Sequence, residues 1–163
     1  MQNDIFSEVF DSSIDQYTDE SSPTDEEKEF ENDEQVTPSL RTDIENLLIN
    51  GSISAEVELA GHIFVIRTLK IGEELAIAEI CKEHEGGIAE AKALAAATVA
   101  ASIETIDGRP LMRNLGPDVK NNIRQKFSYI KNRWYWIIIS ELYQHYLILI
   151  DRQINAFQEL QGK

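Results

Sequence analysis

EVELAGHIFVIRTL, residues 56–69, is the stretch whose reading decides the fold. Val, Ile and Phe recur in alternation with polar positions, and Ala60-Gly61 divides the stretch into two runs of strand length. Alternation puts successive side chains on opposite faces, and a two-residue break ending in glycine suits a tight reversal. The spacing predicts a β-hairpin, although Ala-Gly is a weaker turn signal than Asn-Gly. Outward in both directions the pattern is helical. Residues 43–49 (DIENLLI) predict a short helix, with Thr42 as its N-cap, Glu45 in the first turn and Gly51 closing its far end. Residues 73–84 (EELAIAEICKEH) predict a second helix, ended by Gly86-Gly87. Residues 88–106 are rich in alanine and predict a third. Asp107-Gly108 then makes a turn, and Pro110 prevents a simple continuation.

Pro117 stands where the next helix begins, at a position that needs no N–H. From Val119 the apolar residues Ile123, Phe127, Ile130 and Trp134 recur at helical spacing. Ile138, Leu142, Tyr146, Leu149, Gln153, Ala156 and Leu160 largely continue the stripe. An unbroken helix of about 44 residues would be about 66 Å long, too long for a compact domain of this size, so a break, a bend or a projecting helix is expected. The segment 134–150 (WYWIIISELYQHYLILI) is near the lower length limit for a membrane span. It carries Glu141, Gln144 and His145 near its middle, which argues for a core or interface helix and against the membrane.

The 163 residues carry a formal net charge of −14, and that charge is unevenly placed. Residues 1–42 hold 13 acidic side chains against Lys28 and Arg41. The stretch 19–34 has Phe30 as its one aromatic residue and no aliphatic side chain, too little apolar area to offset the entropy of ordering. The expected organisation is an acidic, largely disordered tail over 1–42 and a helical domain over 43–163. Within the tail, Ile5, Phe6, Val9 and Phe10 are spaced as one face of a helical turn or two, an anchor for docking on a basic partner. The overall fold class is mainly α, with one β-hairpin and a long C-terminal helix. The single cysteine, Cys81, excludes an intrachain disulfide and fits a reducing compartment, and residues 1–10 lack the pattern of a secretory signal.

Motifs for catalysis are missing. His62, His84 and His145 have no metal-ligand spacing, and Cys81 and His84, three apart on one helical face, have no third group to orient them. Neither phosphate-binding glycine motif occurs. A non-enzymatic protein without cofactor or metal is expected. More informative is the segment 109–140, where Arg109, Arg113, Lys120, Arg124, Lys126, Lys131 and Arg133 face a single acid, Asp118. Basic residues among aromatics can bind nucleic acid, but the negative charge of the whole chain favours an acidic protein surface, including the tail of this or a neighbouring chain. A second candidate is 134–139. On a continuous helix Trp134, Tyr135 and Trp136 point about 100° apart, so one core face cannot bury all three. Trp134, Tyr135, Trp136, Ile138 and Ile139 are therefore expected to form a protein-binding or self-association surface.

The order of VELAGHIFVIRTLKIGEELAIAE, LAAATVAASIETIDGRPL and a long aromatic helix resembles the small tail assembly chaperones of long-tailed bacteriophages. The matching residues are Gly61, Arg67, Leu69, Gly72 and Glu73, then Ala100, Ala101, Ser102, Ile103, Asp107, Gly108, Pro110 and Leu111. The resemblance spans residues 56–149 and omits the acidic tail. It implies a chaperone in the bacterial host cytoplasm that binds the tape measure protein, or other tail proteins, and assists tail tube assembly. The alternative it leaves is a structural accessory protein of the virion tail or baseplate. Neither role needs nucleic acid or a membrane.

Overall fold

The computed structural model describes residues 38–113 and 115–162. The element order is α1 (Pro38–Asn50), β1 (Ser54–Leu59), β2 (His62–Arg67), α2 (Ile71–Cys81), α3 (Gly87–Ser102), β3 (Ile103–Ile106), β4 (Arg109–Pro110), α4 (Val119–Arg133) and α5 (Trp136–Leu160), with a 3₁₀ turn at Lys82–His84 after α2. The domain is thus mainly α, as expected, but the hairpin belongs to a four-stranded antiparallel sheet of order β1-β2-β3-β4. The acidic tail, with Ile5, Phe6, Val9 and Phe10, lies outside the described residues up to position 37.

The first hairpin closes with Leu59 opposite His62. Ala60 and Gly61 both have positive φ, 53° and 77°, the combination a two-residue turn of type I′ requires. Asp107 and Gly108 repeat it at φ 50° and 73°, joining Ile106 to Arg109. The two turns are fastened together. Asp107 Oδ1 accepts the Ile63 N–H at 2.9 Å, and Asp107 Oδ2 lies 2.7 Å from His62 Nδ1.

Boundaries differ from the sequence reading at α1 and α3, and the break expected in the C-terminal stripe is present. α1 starts at Pro38, so Thr42 is inside the helix; proline fits the first helical position because the N–H it lacks has no helical partner there. Gly51, at φ 66°, donates its N–H to Leu47 O and ends α1 as expected. The alanine-rich helix stops at Ser102, and Ile103–Ile106 is a strand. Ser102 Oγ bonds back to Val99 O at 3.1 Å, competing with the helical ladder, and the alternating β-branched residues that follow pair with β2. The long C-terminal stripe breaks at Trp134 and Tyr135, whose backbones are extended, and the break resolves the excessive length. α4 itself is capped by Asp118, whose carboxylate accepts the Asn121 N–H, one residue beyond Pro117.

α3 is the centre of the domain. Every residue from Ala95 to Ser102 is buried, and α2, α4 and α5 all pack on it. Alanine along this helix permits such close approach from several sides. The sheet turns Val57, Phe64, Ile66 and Ile103 inward. Ile123, Phe127 and Ile130 of α4, with Ile139, Leu142, Tyr146, Leu149 and Ala156 of α5, complete one core. Burial, followed by the nearby charge of Glu74, pushes the Tyr146 hydroxyl up to about 12, so it stays protonated.

Candidate protein-binding site

α1 reaches the body through a pair of groups far apart in the chain. Arg152 donates to both oxygens of Asp43, Nε to Oδ2 at 3.0 Å and Nη2 to Oδ1 at 2.7 Å. The Asp43 carboxylate is almost fully buried, and a guanidinium fork is the partner that satisfies both oxygens at once. This clamp, with Leu40, Ile44 and Leu47 turned partly inward, sets α1 along the C-terminal half of α5. Between them runs a groove of about 990 Å³ lined by Leu47, Leu48, Ile154, Phe157 and Leu160 together with Gln153, Gln158 and Gln161. Leu48 is 68% exposed, Phe157 53% and Ile154 48%. Isolated exposed apolar residues are ordinary, but a continuous lining on two facing helices marks an interaction site. No charged side chain lines the groove.

The residues singled out from sequence at 134–139 do not form one surface. Ile139 is core. Ile138 packs partly against it. Trp134 turns inward at the break and meets Phe64 edge-on, ring centroids 6.0 Å apart. Only Tyr135, Trp136 and Ile137 are exposed. Consecutive aromatics do not radiate around a helix here because the helix is interrupted, and an extended backbone lets Trp134 point in and Tyr135 point out.

The basic residues likewise divide. Lys120 and Arg124 pair with Glu79 at 2.5 Å and Glu83 at 3.0 Å, joining α4 to α2 and the turn after it. Lys131 lies on the same stripe of α4, its ammonium over the Phe127 ring. Lys126 and Arg133 project from the opposite side. Lys126 donates to Ile103 O at 3.1 Å, and burial, then the neighbouring Arg67 charge, lowers its pKa. Arg133 stacks over Tyr129. Arg109 and Arg113 are exposed around β4. The basic segment is therefore not one continuous face, and part of its charge is neutralised by glutamates of the same domain.

The resemblance motif has a structural content. Arg67, at the end of β2, makes a double hydrogen bond to Glu73 in the first turn of α2, Nη2–Oε1 2.6 Å and Nη1–Oε2 2.9 Å. Glu73 also accepts the Lys70 N–H at 2.9 Å. Burial opposes ionisation of Glu73, but the hydrogen bonds from Arg67 and Lys70 outweigh it and hold the carboxyl below its usual range. The same hydrogen bond raises the Arg67 pKa. Gly61, Asp107 and Gly108 make the turns, while Leu69 and residues 100–103 are core.

Among the described residues no group of three or more histidine, cysteine or acidic side chains is placed to hold a metal ion, and no helix is long and apolar enough to cross a membrane. Cys81 is buried, and His84 turns its ring toward Phe127. Fold and groove together define a small mainly α domain that presents an open apolar channel between two helices. Comparison with known proteins finds no family model, no curated protein and no solved structure that matches the chain.

Proposed function

We propose that this chain is a non-enzymatic tail assembly chaperone of a long-tailed bacteriophage. It would act in the host cytoplasm by covering apolar helix faces of the tape measure protein until the tail tube forms around them. The observation that carries this reading is the open groove between α1 and α5. Its two walls are helices and its lining is uncharged and largely apolar, which suits an amphipathic helix laid in by its apolar face. The motif residues around the hairpin support the reading through the resemblance they carry. The surface differs from the one expected at 134–139: the groove lies at the other end of α5.

The test is co-expression with the cognate tape measure protein. The unaltered chain is expected to keep the tape measure protein soluble and to co-purify with it. Ile154→Asp and Phe157→Asp, both at exposed positions, should leave the domain folded and abolish that solubility, whereas Tyr135→Asp should not. A tape measure protein equally soluble with all three variants would remove the groove from the mechanism. Finding the chain in fixed copy number in purified virions would favour the accessory-protein role instead.

A further inference from the structure

At the N-terminal end of α5, away from the groove, α3 and α4 leave a recess of about 250 Å³. Its floor is made by Ala93, Ala96, Phe127 and Ile139, all buried. Trp134 and Trp136 also line it. Lys92 and Lys131 stand at the rim, their ammonium groups over the Trp136 and Phe127 rings at 5.1 Å and 5.3 Å from the centroids.

We infer that this recess is an anchor site for short acidic peptide segments, taking one bulky apolar side chain between the two lysines. Two independent features lead there. The first is shape. Alanines on α3 withdraw side-chain volume beside Phe127 and the two tryptophans, leaving an apolar depression about the size of one aromatic or leucine side chain. Such depressions are where peptide anchors gain most of their binding energy. The second is charge. Lys120 and Arg124, on the same stripe of α4, are neutralised by Glu79 and Glu83. Lys92 and Lys131 have no carboxylate partner among the described residues. A lysine lying over an aromatic ring still has N–H donors for a carboxylate. The occupant therefore carries negative charge on either side of its apolar anchor. A long polyanion fits less well, because the chain as a whole carries −14 and repels one at distance, while the recess admits a single side chain. This site is separate from the α1–α5 groove and does not rest on the chaperone reading.

The chain's only two tryptophans, Trp134 and Trp136, both line the recess, so intrinsic tryptophan emission reports its occupancy directly. The probe is the free octapeptide DIFSEVFD, which has the sequence of residues 4–11 and the required chemistry. The receptor is the full-length chain with Ile5, Phe6, Val9 and Phe10 all replaced by Ser, so that only the added peptide supplies an anchor. A saturable change in emission at about 10–100 μM peptide is expected. It should weaken with added salt and by at least about tenfold in Lys92→Glu/Lys131→Glu, whose exposed substitutions leave the fold intact. The peptide DISSEVSD should bind at least about tenfold more weakly. No saturable change up to about 1 mM, equal binding by DISSEVSD, or no effect of the lysine substitutions would each overturn the inference. Tighter binding of a single-stranded oligothymidylate than of the peptide would overturn it in favour of nucleic acid.

Discussion

Replacing Glu73 by Gln removes the negative member of the pair that joins the hairpin to α2. The Arg67 and Glu73 side chains are only 21% and 15% exposed, so the pair lies between two regimes. Exposed ion pairs contribute about 0–1 kcal/mol, whereas leaving one buried partner alone costs about 3–5 kcal/mol. Glu104, 3.5 Å from Arg67 Nε, offers a second carboxylate and reduces the loss. Glutamine still accepts the Lys70 N–H, so the start of α2 is retained. A cost of about 2 kcal/mol follows, or roughly a 5–10 °C fall in Tm for a domain of this size. The pH dependence supplies the sharper check. Glu73 is held below its ordinary value of 4.5 in the folded chain. Its ionised form therefore stabilises the fold fully above that value, and the contribution is lost as pH falls through the lower folded-state pKa. Urea denaturation of both proteins should show a constant gap from pH 7 to about pH 5.5 that closes steadily in acid. A gap below about 0.5 kcal/mol, or one that does not change with pH, would refute the role given to this pair. The double replacement Arg67→Met/Glu73→Met should cost less than Glu73→Gln alone, because no charge is left buried without its partner.

Ala97 is fully buried at the centre of α3, so Ala97→Leu should overpack the contacts with neighbouring helices and lower stability by about 1–3 kcal/mol in urea denaturation; an unchanged midpoint would mean that α3 is not the packed centre. Burial, with the Glu90 charge, raises the Cys81 thiol pKa, so alkylation of the native chain at pH 8 should run roughly 100-fold slower than that of the urea-unfolded chain. Equal rates would place Cys81 at the surface.

How much of this was legible depends on how local each signal is. The hairpin could be read because alternation and a two-residue turn lie within 14 residues, and Asp107-Gly108 was visible as a turn for the same reason. The strand Ile103–Ile106 was hidden because it prolongs an alanine-rich helical run and pairs with β2, some forty residues earlier. A break in the C-terminal stripe was expected from its length, but its position at Trp134 was masked by the apolar stripe itself. α4 and α5 both face one core, so the period carries on across a helix that does not. Trp136 and Lys131 were legible as candidates, but which aromatic faces outward was not, since that depends on the extended backbone at 134–135. The groove could not have been read at all. It exists because Asp43 and Arg152, 109 residues apart, clamp α1 against the last turns of α5, and neither residue belongs to any recognisable motif.

Hydrogen–deuterium exchange of the full chain, with and without a synthetic amphipathic helix of a bacteriophage tape measure protein, probes the α1–α5 groove directly. Slowed exchange is expected in two stretches brought together only by the fold, about residues 44–50 of α1 and 150–161 of α5, with the sheet unchanged. Protection elsewhere with none along these two helices, or no protection at saturating peptide, would contradict the role given to the groove.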